Sequence, residues 1–232
     1  MKCCYARLER LSAREGSPMK SFRLPEALQS PDNQLALSYL RRYYKERPDT
    51  PLGADFTGAR FDIWDSSHTR AADANRFTAD DLVAVSFLSV TVPPKAAWEL
   101  LAGRPEDFNK LLGQVPDIDL ADVDPAEISQ IWPAWRLWDE LRTLREVDWV
   151  IASKLLARKR PRLIPIYDRV VKTVTGGDRN YWVPLCQALQ EEGKTLYHRL
   201  FRLRSEAELP HEVSPLRVFD VIAWMEGQYK GY

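Results

Sequence analysis

Several features are scarce in this chain, and each scarcity excludes something. Only three of the 232 residues are cysteines, Cys3, Cys4 and Cys186. Adjacent Cys3 and Cys4 are poor disulfide partners, and no C-x-x-C pair or Cys/His cluster at ligand spacing occurs, so neither a disulfide framework nor a zinc motif is expected. The three histidines, His68, His198 and His211, lie far apart in sequence. Nothing approaches the ~20 apolar residues of a membrane helix, and the N-terminus lacks the apolar run of a signal peptide. Excess charge of one sign is missing too: 33 basic residues balance 33 acidic ones, which argues against wholesale binding to nucleic acid or membrane but leaves room for a local patch. There is no Walker-type glycine loop, no G-x-S-x-G and no H-E-x-x-H. The expectation is a cytoplasmic protein with reduced thiols, no membrane partner, no metal and no cofactor.

What is present is an ordinary globular composition, 45% hydrophobic and 28% charged, with eight tryptophans. That is too apolar for disorder. A chain of this length buries roughly 70% of its unfolded surface. Residues 1–18 mix Arg, Glu, Ser and Gly and precede Met19, so they read as a loose tail or a mis-assigned start. Residues 19–77 read as an irregular section. Within it the apolar spacing predicts a helix from Asp32 to Glu46, and Phe61 and Ile63 predict a short strand, a minor β element near residues 56–64.

Residues 78–232 read as a helical domain. Thr78 and Asp81 form a capping box before the apolar run Leu82 to Val90. Further helices are predicted up to residue 115, then an acidic connector over 116–130. The helical pattern is nearly continuous from Pro133, with breaks at Pro161, Gly176-Gly177, Gly193 and Pro210. Trp132, Trp135 and Trp138 share one helical face. Such a stripe either stacks nucleobases or, more commonly, packs into a core. The alternating Asp117, Asp119, Asp122 and Asp124 lack the glycine and distal glutamate of a calcium loop and read as a solvated linker.

Charge is concentrated in one place. Residues 151–173 hold Lys154, Arg158, Lys159, Arg160, Arg162, Arg169 and Lys172 against Asp168 alone, while residues 99–148 hold twelve acids against five bases. A phosphate-facing surface would have this asymmetry, and so would a helical turn whose bases pair with the acidic segment. With Pro165 in the first turn of a helix, Asp168 falls three residues inside it, where the helix dipole favours a carboxylate. It is either a structural carboxylate paired with a base or a catalytic one in a basic cleft.

The segment LREVDWVIASKLLARKRPRLIPIYDRVV, residues 144–171, resembles the core of the helix-hairpin-helix DNA glycosylases, the endonuclease III and adenine-glycosylase class. Leu144, Val147, Ile151 and Ala152 match the hairpin and the following helix, Pro161 and Pro165 the loop, and Asp168 the catalytic aspartate. Four positions depart from that pattern. Arg145, Glu146 and Asp148 replace the hairpin's Pro, Gly and Gly. Val150 occupies the site of the Schiff-base lysine, and no cysteine quartet for an iron–sulfur cluster follows. The likeness implies a mainly α, glycosylase-like fold and a monofunctional N-glycoside hydrolase in which Asp168 offsets charge on an oxocarbenium-like sugar. It also implies DNA as partner, held by the seven bases named above. Over most of the chain after Met19, through the closing LRVFDVIAWM, the sequence is also similar to a bacterial family of unknown function. The competing reading is a non-enzymatic protein-binding or regulatory module whose bases meet an acidic partner.

Overall fold

A computed structural model describes residues 22–45, 55–177 and 181–232. The expected tail, residues 1–18, lies outside these. The described residues are helical and contain no strand. In chain order the helices are α1 (Glu26–Gln29), α2 (Gln34–Tyr43), α3 (Ala79–Ser86), α4 (Pro94–Trp98), α5 (Pro105–Leu112), α6 (Pro133–Leu141), α7 (Trp149–Lys159), α8 (Arg169–Thr175), α9 (Trp182–Glu206) and α10 (Pro215–Tyr229).

Local chemistry sets most of their ends. Thr78 and Asp81 form the expected capping box on α3. Ser214 caps α10, with Pro215 in its first turn. The break expected at Gly193 appears as a kink in α9, where Glu191–Lys194 leave helical angles.

Two helices are buried almost all round, as their apolar sequences demand. The middle of α10 is enclosed from Pro215 to Ala223 and packs on α8, α2 and α9. The other is α7, enclosed from Ala152 to Lys159 and packed on α3 and α6. The segment 160–168 joins the two halves. Its backbone is held by Asp220 Oδ2 accepting from the Ile166 N–H (2.9 Å), by the Ser153 hydroxyl on the Tyr167 carbonyl (3.3 Å) and by the Ser214 hydroxyl on the Pro161 carbonyl (2.6 Å). Trp132, Trp135 and Trp138 gather around Trp182, with ring centroids 5.1–6.3 Å away, so the tryptophan stripe packs into the core.

The strand expected near residues 56–64 is absent. Thr57–Arg60 form a 3₁₀ turn, and Phe61 and Ile63 part company, Phe61 buried and Ile63 exposed. A lone extended segment has no neighbour to take its backbone groups. Here buried cations take them. Arg158 donates to the Phe61 carbonyl (2.7 Å) and to that of Trp64, Arg217 to Gly58 (3.2 Å), Lys159 to Asp73 (2.8 Å) and Arg160 to Ala74 (2.8 Å).

Candidate functional site

These contacts relocate most of the basic segment. Lys154, Arg158, Lys159 and Arg160 are all buried, so the structure does not present them to a partner's phosphates. Arg158 and Lys159 share the Asp81 carboxylate at 3.3 and 2.9 Å, the same group that closes the α3 capping box. Burial holds the pKa of both bases below their ordinary values, and Asp81 opposes the shift. Arg162 turns to the acidic connector, pairing with Asp119 (3.0 Å) and Asp117 (3.2 Å). Of the seven bases, Arg169 and Lys172, both on α8, are exposed and form no ion pair among the described residues.

The hairpin that resembles a phosphate cradle is filled from within. Glu146 adopts φ 65°, the left-handed turn a glycine would take most easily. Asp148 then caps α7, its Oδ1 accepting from Val150 N–H (3.0 Å) and Ile151 N–H (2.9 Å). The helix N–H groups that would meet a phosphate are thus taken by the chain's own carboxylate.

Asp168 stands one position outside α8, not three residues inside a helix begun at Pro165. Residues 164–168 lie outside any helix, with Asp220 and Ser153 bonded to the backbone of Ile166 and Tyr167, and the helix starts at Arg169. As N-cap, Asp168 uses Oδ1 to accept from the Val171 N–H at 3.0 Å. Oδ2 lies 4.0 Å from Lys154 Nζ, too far for a hydrogen bond. The side chain is 18% exposed. It opens into a cavity of about 530 Å³ between α7, α8 and α10, a volume suited to a small organic ligand.

The cavity walls come from remote parts of the chain. Tyr43 stacks on Phe56 (5.4 Å, 8°), and Trp224 meets both edge-on at 5.8 and 5.6 Å. Gly58 sits beneath the Tyr43 hydroxyl, where a Cβ would fall 1.9 Å from that oxygen. Ser89, on the rim, has φ 60°, an uncommon conformation that concentrates at functional sites. On α10, Arg217 donates Nε to Asp62 (3.1 Å) and Nη2 to Tyr43 Oη (2.8 Å), and burial pushes the Asp220 carboxyl well above its ordinary pKa. Lys154 donates to the Leu88 carbonyl (2.9 Å), and burial lowers its pKa against the pull of Asp168. Sequence reasoning found Asp168 and Lys154 but missed Tyr43, Phe56, Arg217, Asp220 and Trp224. One sign was legible: Arg217 and Asp220 are charges inside the apolar run PLRVFDVIAWM, where a charge must have a built partner.

Among the described residues no three His, Cys, Asp or Glu side chains converge as metal ligands, and no helix is long and apolar enough to cross a membrane. Nothing matches the chain among curated proteins or among solved structures. Residues 36–227 match a family of unknown function, DUF6308, and with that span, well over half its length, the chain belongs to this family.

Proposed function

We propose that this protein binds a nucleobase-bearing ligand, a nucleoside either free or extruded from DNA, in the Asp168 cavity. Its N-glycosidic bond would then lie against Asp168. The observation that carries the reading is the fixed carboxylate in the cavity lining: one oxygen is held by the α8 cap, and the other is free of hydrogen bonds among the described residues. The aromatic cluster of Phe56 and Trp224 lines the cavity and suits a flat ring, since base–aromatic stacking contributes about 1–3 kcal/mol per base. Asp168 is positioned to offset positive charge developing on the sugar. The Lys154 ammonium 4.0 Å away opposes that field, so binding is expected to be easier to detect than base release.

Arg169 and Lys172 supply the grip on a phosphate backbone, with no help from the buried bases. The salt dependence of DNA binding should then be shallow, a log–log slope of about −2 from two contacts at ~0.9 each. Calorimetric titration with nucleosides and short single strands, paired with an assay for released base, tests the reading. Asp168→Asn should leave binding intact and abolish any base release. Failure of every nucleoside and of single-stranded DNA to bind at low salt refutes it.

A further inference from the structure

We infer that the cavity selects a neutral base with an oxo group at pyrimidine C4 or purine C6, as in uridine or inosine, over one with an amino group there, as in cytidine or adenosine. This rests on the proposed reading of the cavity as a nucleobase site and adds the substrate class.

Donor and acceptor accounting in the wall leads to it. Two cations line the cavity with their charged ends almost wholly enclosed: the Arg217 side chain is 6% exposed and that of Lys154 also 6%. Arg217 has five N–H donors. Nε is used on Asp62 and Nη2 on Tyr43 Oη and the Gly58 carbonyl, while Nη1 donates to nothing among the described residues. Arg217 lines the cavity, which leaves the two Nη1 N–H groups for a ligand there. Lys154 uses one of its three N–H donors on the Leu88 carbonyl, and Asp168 is beyond hydrogen-bond range. Up to four N–H groups therefore face the cavity in search of acceptors. Leaving such donors dry and unmet is costly, so a ligand that supplies acceptors is favoured.

The same wall carries the carboxyls of Asp55 and Asp168, which disfavours a ligand that is itself an anion at this spot. A neutral acceptor satisfies both conditions, and the C4 or C6 carbonyl of a base lying against the aromatic wall is one. An exocyclic amino group in its place would point N–H at N–H. Sites that hydrogen-bond a substrate group reject analogues lacking it far more strongly than apolar pockets can.

The experiment is calorimetric titration of the full chain with uridine, inosine, cytidine and adenosine at low salt, needing no variant. Uridine and inosine should bind at least about tenfold more tightly than the amino pair, one hydrogen bond to a charged donor being the difference. Equal affinity for oxo and amino nucleosides overturns the inference while leaving the nucleobase reading standing. No binding by any of the four overturns the inference, and the nucleobase reading falls with it if single-stranded DNA also fails to bind. Lys154→Met, checked for folding by its circular-dichroism melt, should lower uridine affinity about tenfold. Unchanged uridine affinity in that variant removes Lys154 from the recognition and overturns the two-donor site.

Discussion

Replacing Arg160 by alanine separates an internal role for the basic segment from a phosphate-facing one. All five of its N–H groups are met inside the protein: Nε by Val115 O (2.9 Å), Nη1 by Ala74 O (2.8 Å) and Lys159 O (3.0 Å), and Nη2 by Asn75 Oδ1 (2.5 Å) and Leu112 O (2.8 Å). Ala74 and Asn75 are exposed and can turn to water, and Leu112 O keeps the Val115 N–H at 3.1 Å. The carbonyls of Val115 and Lys159 are the ones left in want, at about 1–3 kcal/mol each. Two methylenes of the stem are lost as well, about 0.8 kcal/mol apiece. Release of the guanidinium from its desolvated site offsets part of this, leaving a net loss of about 3 kcal/mol. For a chain of this size that lowers Tm by about 6–12 °C. Arg169→Ala, exposed on α8, should change stability by less than about 0.5 kcal/mol. Differential scanning calorimetry of both variants decides the matter. A fall under about 2 °C for Arg160→Ala, together with weaker DNA binding, would falsify the internal role and return Arg160 to a phosphate-facing surface.

Three further outcomes follow from the packing. A Cβ on Gly227 would sit 2.3 Å from Val170 Cγ1, so Gly227→Ala should push α8 off α10 and lower stability by about 1–3 kcal/mol. Val170→Ala in the same chain should recover most of that loss, and no recovery in a thermal melt means the clash is not the cause. Cys186, enclosed in α9 with its thiol on the Leu120 and Val123 carbonyls, has its pKa pushed up to about 11 by burial. At pH 8 about one part in a thousand is thiolate, so peptide mapping after brief alkylation of native protein should find Cys186 unmodified, and rapid labelling contradicts its burial. Burial also lowers the Lys154 pKa, so between that value and the unfolded 10.5 the unfolded chain binds the extra proton and the stability contributed by Lys154 rises with pH. Urea midpoints of wild type minus Lys154→Met should therefore increase from pH 7 to pH 9.5, and a decrease reverses the sign of the shift.

Local rules made much of the fold legible. The Thr78–Asp81 box and the breaks at Pro161 and Gly193 depend on residues near in sequence, and spacing alone reads them. Asp168 was also legible, as one acid among seven bases, though its place in the helix was not. The backbone before it is bonded to Asp220, far along the chain.

The amino-acid sequence by itself determined a mainly helical chain, its helix ends, its apolar faces and the accumulation of positive charge over residues 151–173. Only the tertiary structure decided where that charge goes. Charge in a sequence has no direction: a lysine or arginine on a helix suits a phosphate, an acidic partner or a buried carbonyl equally well. The choice depends on whether some other segment arrives with unmet acceptors, and here the irregular stretch between α2 and α3 does so, drawing Arg158, Lys159 and Arg160 inward. The cavity is decided in the same way. Its lining comes from α7, α8, α2, the loop at Phe56 and α10, and only packing those elements together brings Phe56, Trp224 and Asp168 to one cavity.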